Sequence, residues 1–234
     1  MSSIIKKEIA AYFTTPFGFI FTGIFLILSG LTFTMSNLLG GNGDLLGMFG
    51  LLANISFMTF PILTMRHYSE ERKSGTEHLL LSSRLSVTSI VLGKYISALI
   101  VFLLTLLATG VYAIIIISYG TPNIGGIIAS YLGFFLFGSA LIAVCSFIAS
   151  FTENQVTAAI TSFGLLFLLV MLSSFSKSID VPVLKDVLSA MAVSERYDEF
   201  IRGIFRLGPV SYYICYASVF MFLTVMNIKR RRLV

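Results

Sequence analysis

"YISALIVFLLTLLATGVYAIIIIS", residues 95–118, runs for 24 positions without Asp, Glu, Lys, Arg or His. As a helix rising 1.5 Å per residue it would be about 36 Å long, enough to cross a hydrocarbon core of roughly 30 Å. A strand of a membrane barrel alternates in polarity and is about half this length. A helix closes its own backbone hydrogen bonds in lipid, so it is the better reading of a continuous apolar run. Five more stretches meet the same test: residues 17–38, 45–65, 124–151, 156–174 and 210–228. The chain of 234 residues is 56% hydrophobic and only 12% charged, with mean hydropathy +0.93. Soluble domains are about 25% charged. The expected fold class is therefore all-α, a polytopic membrane protein with six transmembrane helices in one domain over residues 1–234. The first run is preceded by sixteen residues and is too long for a signal core, so a cleaved signal peptide is not expected.

Just before the quoted run lies "MRHYSEERKSGTEHLLLSSRLS", residues 65–86, with seven charged residues and both histidines of the chain. Glu70, Glu71, Arg72 and Lys73 read as a solvated turn. Ser74 and Gly75 allow a break, and Thr76 can cap a new helix whose early Glu77 suits the positive helix end. Leu79, Leu80 and Leu81 then give more apolar surface than a solvated loop should show. A segment charged at one end and leucine-rich at the other suits a docking element; its leucines could equally rest on the membrane or on the helix ends.

Basic residues between the runs set the orientation. Lys6 and Lys7, then Arg66, Arg72, Lys73, Arg84 and Lys94, then Lys229, Arg230, Arg231 and Arg232 fall on one side, eleven in all. Five fall on the other, within residues 177–208, where five acids neutralise them. Both termini and the 66–94 loop are thus expected in the cytoplasm, with 177–208 outside. The net charge of +5 reflects this anchoring, with the terminal basic run meeting anionic lipid rather than nucleic acid.

The runs carry no ionisable residue, which argues against an ion-gradient carrier. His67 and His78 lack metal-ligand spacing, and Cys145 and Cys215 fall inside runs as packing residues. "TSIVLGKY", residues 88–95, has Thr88 and Tyr95 where a phosphate loop needs glycine and Ser or Thr. No metal, cofactor or catalytic residue is expected, so a partner must supply energy for any work. Residues 1–16 form an amphipathic helix, with Ile5, Ile9, Tyr12 and Phe13 on one side, able to lie in the membrane interface. Pro16 ends it. Asn37 and Asn54 read as hydrogen-bonding glue between helices. Leu184, Val187, Leu188 and Met191, then Phe200, Ile201, Ile204 and Phe205, form two short helical stripes before the last run.

With "KKEIAAYFTTPFGFIF" at 6–21, the 65–86 segment, "LGKY" at 92–95 and "YDEFIRGIF" at 197–205, the chain resembles the type-two ABC transporter permeases. It is similar to the subgroup that includes the gliding-motility-associated and copper-enzyme maturation permeases. The resemblance implies an ABC exporter subunit in the bacterial cytoplasmic membrane, paired with a second permease as homo- or heterodimer. It also implies a separate cytoplasmic ATPase that holds the ATP and magnesium. By the same resemblance, about 74–83 is a coupling helix inserted into that ATPase. The matching coupling residues are Glu70, Glu71, Arg72, Gly75, Thr76 and Glu77, while Phe200, Arg202 and Gly203 match an external motif of structural role. The rival readings are a non-transporting scaffold that recruits an ATPase, and an ion-gradient carrier.

Overall fold

The computed structural model describes residues 2–73, 75–76, 86–119, 123–176, 193–194, 196–201 and 206–232. Their helices are α1 (Ser2–Thr14), α2 (Pro16–Phe33, continued by π-helical turns over Thr34–Leu39), α3 (Leu46–Ser56), α4 (Phe60–Thr64), α5 (Ser69–Lys73) and α6 (Val87–Ala108). They continue with α7 (Gly110–Tyr119), α8 (Ile124–Ala149), α9 (Gln155–Ser176), α10 (Tyr197–Ile201) and α11 (Leu207–Arg232). Among the described residues, four stretches are long and apolar enough to cross a bilayer: Pro16–Leu39, Val87–Tyr119, Ile124–Ala149 and Leu207–Arg231.

The other two expected crossings are not among these four. The 45–65 run is divided into α3 and α4. Pro61 has no N–H to give to Phe57, and its ring crowds that carbonyl, so the helix cannot pass straight through. The chain tightens into three-residue turns, with Met58 N–H donating to Ile55 O (3.1 Å) and Thr59 N–H to Ser56 O (2.9 Å). The Thr59 hydroxyl donates to Ser56 O (2.8 Å) and the Ser56 hydroxyl to Ala53 O (3.1 Å), satisfying carbonyls that the break frees. The 156–174 run lies in α9, whose 22 residues give about 33 Å of helix.

The bundle is built around α8. Its most apolar window is 72% buried, against 33% for each of the other three long stretches. Lipid tails are as apolar as leucine, so helices associate by close packing rather than by escape from water. Small residues make that possible in α8: Ser130, Gly133, Gly138, Ala140, Ala143, Ser146 and Ala149 are all buried. Aromatic rings fill the space they leave. Phe102 of α6 meets Phe25, Phe60 and Phe134 at centroid distances of 6.0, 5.2 and 5.9 Å. An exposed apolar belt that includes Phe19, Ile27, Ile114, Ile160 and Phe222 faces outward, as a lipid-facing surface requires.

Polar groups inside the runs mostly serve their own chain locally. Asn54 donates to Gly50 O of its own helix (2.9 Å). The Asn37 amide donates to Asn42 O (2.8 Å) and Asp44 O (2.5 Å), so it holds the turn after α2 rather than bridging helices. Cys145 is buried as expected, whereas Cys215 is exposed on α11.

Candidate functional site

The charged end of the bundle gathers α1, α5, the start of α6, the α8–α9 turn and the last turns of α11. Lys94, only 2% exposed, lies at its centre. Its Nζ stands 3.0 Å from Glu8 Oε1 of α1 and 2.9 Å from Glu71 Oε1 of α5, and 5.7 Å from the centre of the Tyr68 ring. A buried ammonium needs such partners, because its desolvation is otherwise uncompensated. Lys7 reaches Glu71 from the outside at 3.6 Å. The next residue along, Gly93, lets α1 come this close: a Cβ built there would meet Ile4 Cγ2 at 2.8 Å.

His67 forms a second tie. The Tyr12 hydroxyl donates to Leu63 O (2.8 Å) and lies 2.8 Å from His67 Nε2, while His67 Nδ1 lies 3.1 Å from the Ser146 hydroxyl of α8. With its one proton given to Leu63, Tyr12 accepts from Nε2–H, and Nδ1 accepts from Ser146; the network assigns a neutral Nε2–H tautomer. Burial, reinforced by the positive charges of Lys94 and Arg66, holds the His67 pKa down to about 3. Burial likewise pushes the Tyr12 and Tyr68 hydroxyls upward, so neither ionises near neutrality.

The C-terminus of α8 forms the third tie. Arg72 donates to Thr152 O (2.7 Å) and Ser150 O (2.6 Å), Asn227 of α11 donates to Ser150 O (3.1 Å), and Arg231 donates to Phe151 O (3.4 Å). Ser150 is the C-cap of α8, whose carbonyl a helix end leaves unpaired, and Phe151 and Thr152 follow it directly; cations there also complement the helix dipole. Arg66 binds the end of α1 through Ala11 O (3.1 Å) and the Thr15 hydroxyl, and pairs with Glu70 at 2.5 Å.

The six expected coupling residues therefore divide. Glu70, Gly75 and Thr76 are exposed. Glu71, whose side chain is 13% exposed, and Arg72 instead face inward, so the expected solvated turn is a helix with one outward and one inward side. Gly75 adopts φ +69°, a left-handed conformation that glycine enters without steric cost. The Thr76 hydroxyl donates back to Glu71 O (3.4 Å). Arg72, Lys73 and Gly75 line one side of a surface cavity of about 680 Å³, and Glu153, Asn154, Gln155 and Val156 line the other. Glu77, and the leucines at 79–81, lie outside the described residues. At the opposite end, Phe200 of α10 is fully buried near Tyr197 and Tyr213, with ring centroids 6.5 and 6.3 Å away. Tyr213 also donates to Val193 O (2.8 Å). Arg202 and Gly203, and the stripe at 184–191, lie outside the described residues.

The sequence model of the ABC-2 family transporter proteins matches residues 39–215, which include the charged segment after residue 65 and most of the bundle. The chain belongs to the ABC-2 transporter family. A segment of 130 residues is also 32% identical to proteins described as the probable multidrug ABC transporter permease YbhR in Escherichia coli K12 and in strain O157:H7. That match covers 56% of this chain and 35% of each relative, so the aligned segment spans about a third of their length. Family and apolar helices together make this ABC-2 family member a multi-pass membrane protein.

Four residues central to the site of this ABC-2 family protein are absent from the expected set. Glu8 has no role in the sequence reading and Lys94 serves there only as a marker of orientation; Gly93, beside Lys94, is the residue that permits the close approach of α1. His67, read from the sequence only as lacking metal-ligand spacing, is 1% exposed. Asn227 sat unremarked in the last run.

Proposed function

We propose that this ABC-2 permease is the membrane subunit of an exporter, driven by separate ATPase chains and working as a pair with a second permease. Six crossings, counting α3 with α4 as one and α9 as another, put the charged end in the cytoplasm together with both termini. That orientation agrees with the excess of basic residues at this end. The α1 helix lies along the inner membrane face, and residues 177–208 lie outside, with the Phe200 region serving as a structural cap. The 66–94 segment docks on the ATPase through Glu70, Gly75, Thr76 and Glu77. The gliding-motility and copper-enzyme maturation permeases remain the subgroup it resembles, and the substrate class is open between those and the multidrug label of YbhR.

The observation that carries the reading is the two-sided α5. Its outward side, with Glu70 and Lys73, is exposed, while Glu71 and Arg72 fasten it to α6, α1 and the end of α8. A push on the outward face would therefore reach the most buried helix of the bundle. Rigid, doubly bonded connections of this kind carry displacement between sites. ATP binding by the partner would move α5, and α8 with its neighbours would change access across the membrane.

The test is the purified complex of permease and ATPase in lipid nanodiscs. Glu70→Lys should release or uncouple the ATPase, lowering its turnover; because Glu70 also pairs with Arg66, Glu70→Gln, which adds no like charge beside Arg66, is measured with it to separate docking from folding. Unchanged co-purification and turnover in Glu70→Lys would remove the docking role. Substrate-stimulated turnover would distinguish a transporter from a scaffold.

A further inference from the structure

The outer face of α1 enters the contacts above through Lys7 alone. Ser3, Lys6, Lys7, Ala10, Phe13 and Thr14 recur at i, i+3, i+4, i+7, i+10 and i+11, and all six are exposed. The buried face is the other one, where Ile4, Glu8 and Tyr12 pack or bond against the bundle. The sequence reading put Tyr12 and Phe13 together on a lipid-facing side. The structure separates them and leaves Phe13 outside, in edge-to-face contact with exposed Phe19 at 5.9 Å. This outward face carries two lysines above a pair of exposed aromatic rings at the entry to the first membrane-spanning helix. Lys7 has a second connection, because its Nζ lies 3.6 Å from Glu71 while its side chain is 61% exposed.

We infer that the Lys6–Lys7 face of α1 binds anionic lipid headgroups, and that Lys7 is shared between those headgroups and Glu71, so that lipid charge tunes the docking segment. The inference rests on the proposed orientation, which puts this face against the inner leaflet. Charge complementarity names the occupant: an anionic leaflet strengthens attraction about fivefold per lysine near its surface. The exposed aromatic pair fits the boundary between headgroups and acyl chains. A phosphate drawing Lys7 outward weakens its hold on Glu71. Lys94 then keeps that carboxylate with one fewer cation beside it, and α5 is held less firmly. Glu8 has its own bond to Lys94, so the α1 anchor persists while α5 loosens.

The full-length chain is placed in nanodiscs of phosphatidylcholine alone or of an equal mixture with phosphatidylglycerol, and amide hydrogen exchange is followed across α5. Phosphatidylglycerol should speed exchange there by up to about fivefold, the range an exposed ion pair carries. In K6Q/K7Q the response should vanish, and in K6R/K7R it should return. Retention of phosphatidylglycerol by the detergent-purified protein, read by native mass spectrometry, should fall in K6Q/K7Q. No lipid dependence in the wild type would overturn the inference, as would a response undiminished in K6Q/K7Q. Loss of ATPase binding in K6Q/K7Q with the lipid response intact would also overturn it, assigning the face to the protein partner. None of these readings needs the ATPase in order to register the lipid effect, so failure of the docking role is seen separately.

Discussion

Replacing Lys94 with Met should be the most damaging single change at the charged end. The side chain is 2% exposed, and its ammonium is within 3.0 Å of both Glu8 and Glu71. Removing one member of a buried ion pair typically costs about 3–5 kcal/mol, because the remaining charge is stranded. Here two carboxylates would be stranded together. Their 12% and 13% exposure and the nearby Lys7 admit some screening, which favours the lower end, about 3 kcal/mol. Glu8→Gln and Glu71→Gln are milder. Each leaves Lys94 paired with the other carboxylate and exchanges a charged hydrogen bond for a neutral one, about 1–2 kcal/mol. The combined K94M/E8Q/E71Q variant has no stranded charge and should recover most of the loss, to within about 1 kcal/mol of wild type. Reversible unfolding in mixed micelles, followed by circular dichroism, measures all four variants. The reasoning fails if K94M lies within about 0.5 kcal/mol of wild type, the range of ordinary surface substitutions. It fails equally if the triple variant is less stable than K94M.

Further outcomes concern other parts of the same end and the topology. Gly93→Leu should cost about 1–3 kcal/mol by overpacking against Ile4, and Ile4→Ala in the same chain should return much of it; a harmless G93L would contradict the close approach of α1. The His67 pKa is near 3 when folded and about 6.5 in an unfolded chain. The unfolded state therefore binds more protons between these values, so stability falls as pH drops through that window and is level above it. H67Q should lose that slope, up to about 1.4 kcal/mol per pH unit, and an identical slope in both proteins would refute the assignment. A cysteine at Ser189 in a C215A background should react with an impermeant maleimide from outside the cell, and labelling confined to the cytoplasmic face would reverse the proposed orientation.

The membrane class was readable because it depends on long runs without charge, a property of neighbouring residues. The break at Pro61 was also written in the chain, since proline removes a donor wherever it falls. Run length alone concealed it, because the apolar composition continues on both sides. The charged segment after residue 65 was recognisable as exceptional, yet its two-sidedness was not. Glu70 and Glu71 are adjacent and chemically alike; only the position of Lys94 on another helix turns one inward and leaves the other outside. His67 shows the same limit more sharply. Its partners, Tyr12 and Ser146, are 55 and 79 residues away in the chain, so no local period could reveal its burial. The amphipathic character of α1 was evident, but its faces were assigned to the wrong surroundings. Helical spacing gives relative directions of side chains, and the packing of Ile4 on Gly93 decides which direction is inward.

Mechanical coupling through α5 is the claim on which the transport reading depends, and a photoreactive residue at position 70 tests it most directly. Glu70 has a half-exposed side chain that pairs with Arg66. In the intact complex in native membranes, the crosslinked product is expected to contain an ATPase chain, with a yield that changes when ATP is trapped. Crosslinks to lipid alone, with or without nucleotide, would contradict the docking role of this segment.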